Sequence, residues 1–273
     1  MTAILSRMQA IRLRLSNAMR VHGLIGTFYR AGRYPWMRIL SMPMRRRVFS
    51  STDTASVFTH IYECNWWGSG ESVSGTGSTL AYTANLRQKL PELFEKFSVH
   101  KVFDAPCGDF NWMRHVVRSC EIDYVGGDIV PQLIQRNSTM YQSERTRFVV
   151  ANVITDKLPQ ADLWICRDCL IHFSFNDILA TFESFTRSEI DYLLTTTHLN
   201  ANGFKNLDIR TGDARLIDLF SAPFFLPSEC LYAIDDWLEP EVPRKMVLFN
   251  RRQIAEALPR IRAALDHNPS SVA

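Results

Sequence analysis

Val99-His100-Lys101-Val102-Phe103-Asp104-Ala105-Pro106-Cys107-Gly108-Asp109-Phe110-Asn111-Trp112 is the stretch that decides the fold. A short apolar run ends on an acidic residue and enters a turn holding Pro106 and Gly108, so residues 99–104 read as a buried strand. The same unit recurs downstream. A helix is expected over about 109–118, a second strand over 122–128, and a helix over 131–141. Strands follow over 147–151 and 161–166, and Ser174-Phe175-Asn176-Asp177 has the look of a capping box opening a helix through Arg187. A fifth strand is expected over 190–196 and a late one over 245–250, with 215–220 as its neighbour or a short helix. Alternation at this spacing predicts an α/β fold: a doubly wound, mostly parallel, Rossmann-like sheet with an antiparallel C-terminal strand.

Working outward, residues 66–78 are too rich in Gly and Ser for a helix or central strand, and a helix is expected over 82–97, with Leu86, Leu90, Leu93 and Phe97 on one face. The 273 residues are 46% hydrophobic, enough for a buried core and incompatible with a disordered chain. The net charge of +3 conceals a split. Residues 1–50 hold ten Arg and no Lys, Asp or Glu, while the rest carries −7. The chain therefore divides into a basic arm with its linker (1–52), a cap segment (53–98) and a main domain (99–273). Within the arm Ile4, Met8, Ile11, Leu15 and Met19 share helical spacing, with Arg7, Arg12, Arg14 and Arg20 around them. Such a helix can lie on an anionic membrane, pack on the body or a partner, or act as a transit peptide.

No window has the roughly 18 apolar residues of a membrane span, and no apolar core with a cleavage site follows Met1, so a cytoplasmic, possibly membrane-associated location is the expectation. The six cysteines read as reduced thiols, because the chain has its own core and shows no secretion signal, and Cys166-Cys169 has no second pair to complete a zinc site.

Ligands of open α/β sheets bind outside the carboxyl ends of the strands. Here those ends carry Asp104 with its turn, then Asp128, Asn152 and Asp168, the first three spaced 24 positions apart. An acidic residue at the second strand's tip suits ribose hydroxyls, and a helix N-cap is its bland alternative. The first turn has no G-x-G-x-x-G, so a nucleoside without a pyrophosphate fits better than a dinucleotide.

This pattern resembles the class I S-adenosylmethionine-dependent methyltransferases over about residues 60–250, with Pro106 and Phe110 in place of two of the family's glycines. The strings 104–113 and 166–172 look like a branch of viral and bacterial enzymes that methylate sugar hydroxyls of polysaccharides and glycolipids. The resemblance implies S-adenosyl-L-methionine as cofactor. Ala105, Pro106, Cys107 and Gly108 would face its methionine part, and Asp104 would hold the loop and the amino group. Asp128 would take the ribose hydroxyls, Ile129 would lie against the adenine, and Asn152 would read its amino group. Val153 and Arg167 belong to the same cofactor-binding set. Ser74, Thr76 and Arg87 would close the site, Arg87 towards the carboxylate, although a Gly/Ser loop can equally be plain linker.

A sugar hydroxyl is a weak acid and needs a general base. Asp168 and His172, on the loop after the fourth strand, are the catalytic candidates. His172 has the better intrinsic pKa, with backbone-bonded histidine as its alternative. Asp168 could orient it, act as base, bind a divalent cation, or simply pair with Arg167. His198 ranks second, Asp208 and Asp213 third. Trp66, Trp67 and Trp112 could stack on a sugar face or pack in the core. A phenolic or other small-molecule acceptor and a non-catalytic cofactor-binding protein remain alternatives. Nucleic acid is disfavoured as a partner, because the body is net negative. The oligomeric state is not readable.

Overall fold

The computed structural model describes residues 11–21 and 45–267. A seven-stranded sheet forms its centre: β1 (Lys101–Asp104), β2 (Asp123–Asp128), β3 (Thr146–Val150), β4 (Leu163–Cys166), β5 (Tyr192–His198), β6 (Tyr232–Asp235) and β7 (Arg244–Asn250). Their order is β3-β2-β1-β4-β5-β7-β6. The first five are parallel, and β7 runs antiparallel to β5 and β6. The expected fold is therefore present, with the strand order reversing between β1 and β4.

Six helices are numbered here: α1 (Thr54–Glu63), α2 (Ala84–Lys96), α3 (Met113–Ser119), α4 (Pro131–Tyr141), α5 (Phe175–Arg187) and α6 (Arg251–Asp266). The two faces of the sheet are covered by different helices. Ile178, Phe182 and Phe185 of α5 and Ile254, Leu258 and Ile261 of α6 close one face. Leu86, Leu90 and Leu93 of α2, Met113 and Val116 of α3 and Ile134 of α4 close the other. Burial of each such side chain contributes about 1.5–3 kcal/mol.

Several expectations need correction. Residues 215–220 form neither strand nor helix, and the neighbour of β7 is the short edge strand β6. Helix α3 starts at Met113 instead of about 109, because residues 107–112 are held in the turn. Ser174 caps α5 by accepting from the Asp177 amide, but Asp177 does not reciprocate, since its Oδ2 accepts from the Thr211 hydroxyl. The arm helix is seen over 11–21, and its expected part containing Ile4, Arg7 and Met8 lies outside the described residues.

The turn after β1 places Phe110 in a conformation that glycine adopts more readily. Its φ of 58° lies in the left-handed region that disfavours side chains. Its ring is buried among Tyr124, Tyr141 and Phe148, with centroids 4.9, 5.4 and 5.1 Å away. Packing therefore holds the strained backbone. Phe110→Ala keeps the strain and deletes the ring, so urea unfolding should show a loss of about 3–5 kcal/mol; a loss below about 1 kcal/mol would refute this account of the turn.

Candidate functional site

Because β1–β4 are parallel, their carboxyl ends share one edge, and a cavity of about 300 Å³ opens there. Its lining draws on the turn after β1 (104–109), the end of β2 (127–130), the loop after β3 (151–153) and the loop after β4 (167–169 and 171–173). Residues 73–78 and Thr54, Phe58 and Tyr62 of α1 complete it from the N-terminal side. Asp104, Ala105, Pro106, Cys107, Gly108, Asp128, Ile129, Asn152, Val153, Arg167, Asp168, His172, Ser74 and Thr76 all line this one space.

Asp128 is buried and accepts from the amides of Gly108 (3.2 Å, Oδ2) and Val130 (3.1 Å, Oδ1). Burial raises its carboxyl to about 6 in spite of those donors. It is not the N-cap of α4, which is Val130. Gly108 has φ 54°, and a Cβ there would collide with Ser74 Oγ, which shows how closely the 73–78 loop lies on the turn. Asp104 is buried and accepts from the Tyr124 hydroxyl at 2.7 Å, and burial lifts its carboxyl to about 7. Asn152 Oδ1 accepts from the Ile154 amide at 3.0 Å, which leaves its Nδ2 without a protein partner among the described residues. Ile129, Val130, Leu133 and Val153 add an apolar wall.

Beside this lies a buried ion cluster. Asp168 faces Arg244 with both oxygens at 3.0 Å, and Arg167 Nη1 stands 3.5 Å from it. Arg167 donates to both Asp236 oxygens at 2.9 and 3.0 Å and to the Gly77 carbonyl at 2.8 Å. Burial raises the Asp168 pKa, but Arg244 and Arg167 outweigh it and hold the carboxyl below its ordinary value. Asp168 thus sits paired with two arginines, and it carries a strained φ of 52°. Arg167, with its donors on Asp236 and Gly77, clamps the 73–78 loop to the sheet.

His172 is placed differently. Its Nδ1 meets the Asp213 carbonyl at 2.9 Å, and its ring packs against Trp67, tilted by 38° with centroids 5.3 Å apart. An acceptor at Nδ1 fixes the tautomer with the proton there, leaving Nε2 with a lone pair and no hydrogen-bond partner among the described residues. Burial lowers its pKa in spite of the Asp213 carbonyl and the Asp168 charge. Burial therefore favours the neutral ring, which a base requires. The segment 210–215 holds this loop, for Gly212 and Arg215 donate their amides to the carbonyls of His172 and Ile171 at 2.8 and 3.1 Å. Gly212 has φ 97°, and a Cβ would strike Val57 of α1, so α1 lies directly on this segment.

Other expected residues fall elsewhere. Arg87 does not line the cavity; it donates to the Leu80 carbonyl at 2.8 Å within its own segment. Trp66 and Trp67 both pack on the Val48, Val57 and Ile61 cluster, and Trp67 and Trp112 line the cavity. His198 is buried against Ile217 outside the lining, and burial beside Arg244 lowers it to about 4. Asp208 accepts from the Phe175 amide, and Asp213 pairs with Arg45 at 3.0 Å. The divalent-cation option at Asp168 does not fit, because both oxygens face Arg244 and no group of three or more His, Cys, Asp or Glu among the described residues could hold a metal. The six cysteines are free thiols. Phe58, Tyr62, Asp236, Glu241 and Arg244 were not anticipated from the sequence.

No family model and no curated protein matches the sequence. Solved structures do. A Leishmania major S-adenosylmethionine-dependent methyltransferase is 12% identical over 72% of this chain and 85% of its own, with a TM-score of 0.55. Magnesium protoporphyrin IX methyltransferase from Synechocystis PCC 6803, with bound S-adenosylhomocysteine, is 11% identical over 73% of this chain and 100% of its own, at 0.51. Against human N-acetylserotonin methyltransferase, 11% identical with a TM-score of 0.48, the match covers 76% of this chain and 59% of that one. The shared feature is the Rossmann-like methyltransferase fold.

Proposed function

We propose that this chain is an S-adenosylmethionine-dependent O-methyltransferase, and that its acceptor is a sugar hydroxyl of a glycan or glycolipid. The observation that carries the reading is the convergence of Asp104, Asp128, Asn152 and a neutral, singly tethered His172 on one cavity. Asp128 takes the ribose hydroxyls, the apolar wall takes the adenine, and Asn152 offers its amide to the adenine edge. Asp104 faces the methionine ammonium. When bound, the cofactor would supply a methyl group activated by its positive sulfur for displacement by the acceptor oxygen. His172 Nε2 receives the acceptor proton. Asp168 makes no hydrogen bond to His172 and acts on it only by favouring its protonated form, while its pairing with Arg244 holds the loop.

Support for a sugar lies in the interleaving of flat rings (Trp67, Trp112, Phe58) with hydroxyls (Thr54, Tyr62, Thr76) around the cavity. The four rings Phe58, Tyr62, Trp67 and Phe173 favour a phenolic small molecule as the second reading. Incubation with labelled cofactor and separate panels of glycans, glycolipids and phenols should give labelled product from the first two. Label only in phenols would move the acceptor class, and cofactor binding with no product from any panel would leave a binding protein.

The raised carboxyl of Asp104 gives this reading a pH signature. With a pKa of about 7 it is half protonated near neutrality, and a cationic ligand beside it must expel that proton. Affinity should therefore fall about tenfold from pH 8 to pH 6. Asp104→Asn should flatten that slope around pH 7. For the ligand-free chain the sign is opposite: a folded pKa above the ordinary 3.8 means this group favours folding more at pH 5 than at pH 8. Affinity independent of pH from 8 to 6 would remove Asp104 from contact with the ammonium.

A further inference from the structure

Among the described residues, the helix over 11–21 is held to the body by one side. Asn17 exchanges two hydrogen bonds with the backbone of Lys205, at 2.7 and 3.0 Å, and Arg20 donates to the Gly203 carbonyl at 3.0 Å. With 3.6 residues per turn, Ile11, Leu15 and Met19 lie on the opposite side. They are 64%, 52% and 38% exposed, and Arg12 and Arg14, both exposed, flank them. A helix that packed its apolar side on the body would show the reverse.

The same loop that holds this helix also holds a second basic feature. Arg210 donates to the carbonyls of Phe49 (3.1 Å) and Ser51 (2.5 Å). Arg45, Arg46 and Arg210 surround Phe49, with the Arg45 and Arg210 guanidiniums 5.0 and 5.1 Å from its ring centre. The loop over 203–210 thus joins an apolar stripe to a cluster of arginines, in an arm of +10 with no acidic residue.

We propose that the 11–21 helix and the 45–51 turn form a docking surface for an anionic lipid bilayer, with Ile11, Leu15 and Met19 entering the acyl boundary and the arginines meeting lipid phosphates. An interfacial helix needs both a stripe and a charged flank, whereas a reader of nucleic-acid phosphates needs the charge alone. Docking would place the α1 wall of the cavity close along the chain to the lipid, since α1 begins three residues after Ser51. The proposal stands independently of the methyl-transfer chemistry.

The test is co-sedimentation of the full chain with phosphatidylcholine vesicles, with and without phosphatidylserine. One kcal/mol per arginine near the surface is about a fivefold factor, so three engaged arginines predict a preference of about 100-fold for the anionic vesicles, lost at high salt. Leu15→Glu, at an exposed position, should cut that binding at least about tenfold while leaving circular dichroism and thermal unfolding unchanged, and Arg12→Glu with Arg14→Glu should do likewise. Equal sedimentation with both vesicle types, or binding unaffected by Leu15→Glu, would overturn the proposal. Binding to RNA or DNA duplexes that survives Leu15→Glu and outcompetes the vesicles would overturn it in favour of nucleic acid.

Discussion

Asp128→Ala is expected to weaken S-adenosylmethionine binding by about 10²–10⁴-fold. A hydrogen bond to a charged acceptor contributes about 1.5–3 kcal/mol, and a ribose offers two hydroxyl donors to one carboxylate. The substitution has a second effect, because the Gly108 and Val130 amides both donate to this carboxylate and would lose their acceptor. The turn that follows β1 would relax away from the cavity at the point where Gly108 closes on Ser74. Asp128→Asn separates the two effects, since an amide oxygen keeps one of those acceptors while removing the charge. Its affinity should fall between wild type and Asp128→Ala. Calorimetric titration checks both. Binding by Asp128→Ala within about fivefold of wild type would remove the ribose from this residue.

His172→Ala is expected to lower turnover by 10²-fold or more while leaving cofactor affinity within about threefold. The side chain lies against Trp67 and the Asp213 carbonyl, not against the Asp128 end of the cavity, so its loss should separate chemistry from cofactor binding. Wild-type kcat should rise with pH as Nε2 loses its proton, with a midpoint below the ordinary histidine value of 6.5, because burial disfavours the imidazolium. That inflection should vanish in His172→Ala. Asp168→Asn provides the contrast. It leaves Arg244 facing an uncharged partner in a largely buried cluster, so it should destabilise the fold by up to about 3–5 kcal/mol. Its activity per folded molecule should fall less than that of His172→Ala. Wild-type turnover in both variants would take this loop out of the chemistry.

How much of this was legible in the sequence depends on the reach of each signal. The buried parallel strands were readable because Val, Ile, Leu and Phe cluster in runs too short for helices and end at polar turns, as at Asp104, Asp128 and Cys166. Helix α4 was readable because Pro131 sits at its first position. Helix α6 was overlooked although its signal is local: Asn250 and Gln253 form a reciprocal capping box ahead of Ile254, Ala257, Leu258 and Ile261. Edge strand β6 was not readable, since four residues with one buried side chain have no periodicity to detect.

The site divided in the same way. Residues that follow directly from a strand end were foreseen, because the fold alone brings them to one edge. The Arg167 partner of Asp168 was foreseen as its neighbour in sequence, but Arg244 was not, because it lies 76 positions away; nor was Asp236, the partner of Arg167, which directly follows the end of β6. Nor were Phe58 and Tyr62, whose helix α1 lies in a segment for which no helix was expected from the sequence. Arg87 shows the opposite failure: its charge suggested a carboxylate ligand, and the backbone at Leu80 takes it instead.

The most direct test of the central claim is calorimetric titration of the wild-type chain with S-adenosylmethionine and S-adenosylhomocysteine at pH 7.5. One-to-one binding of both ligands at micromolar concentrations is the expected result, with affinity for both falling towards pH 6, since both carry the ammonium that faces Asp104. No binding of either ligand would contradict the account at its base, leaving a methyltransferase-like fold whose cavity serves some other molecule.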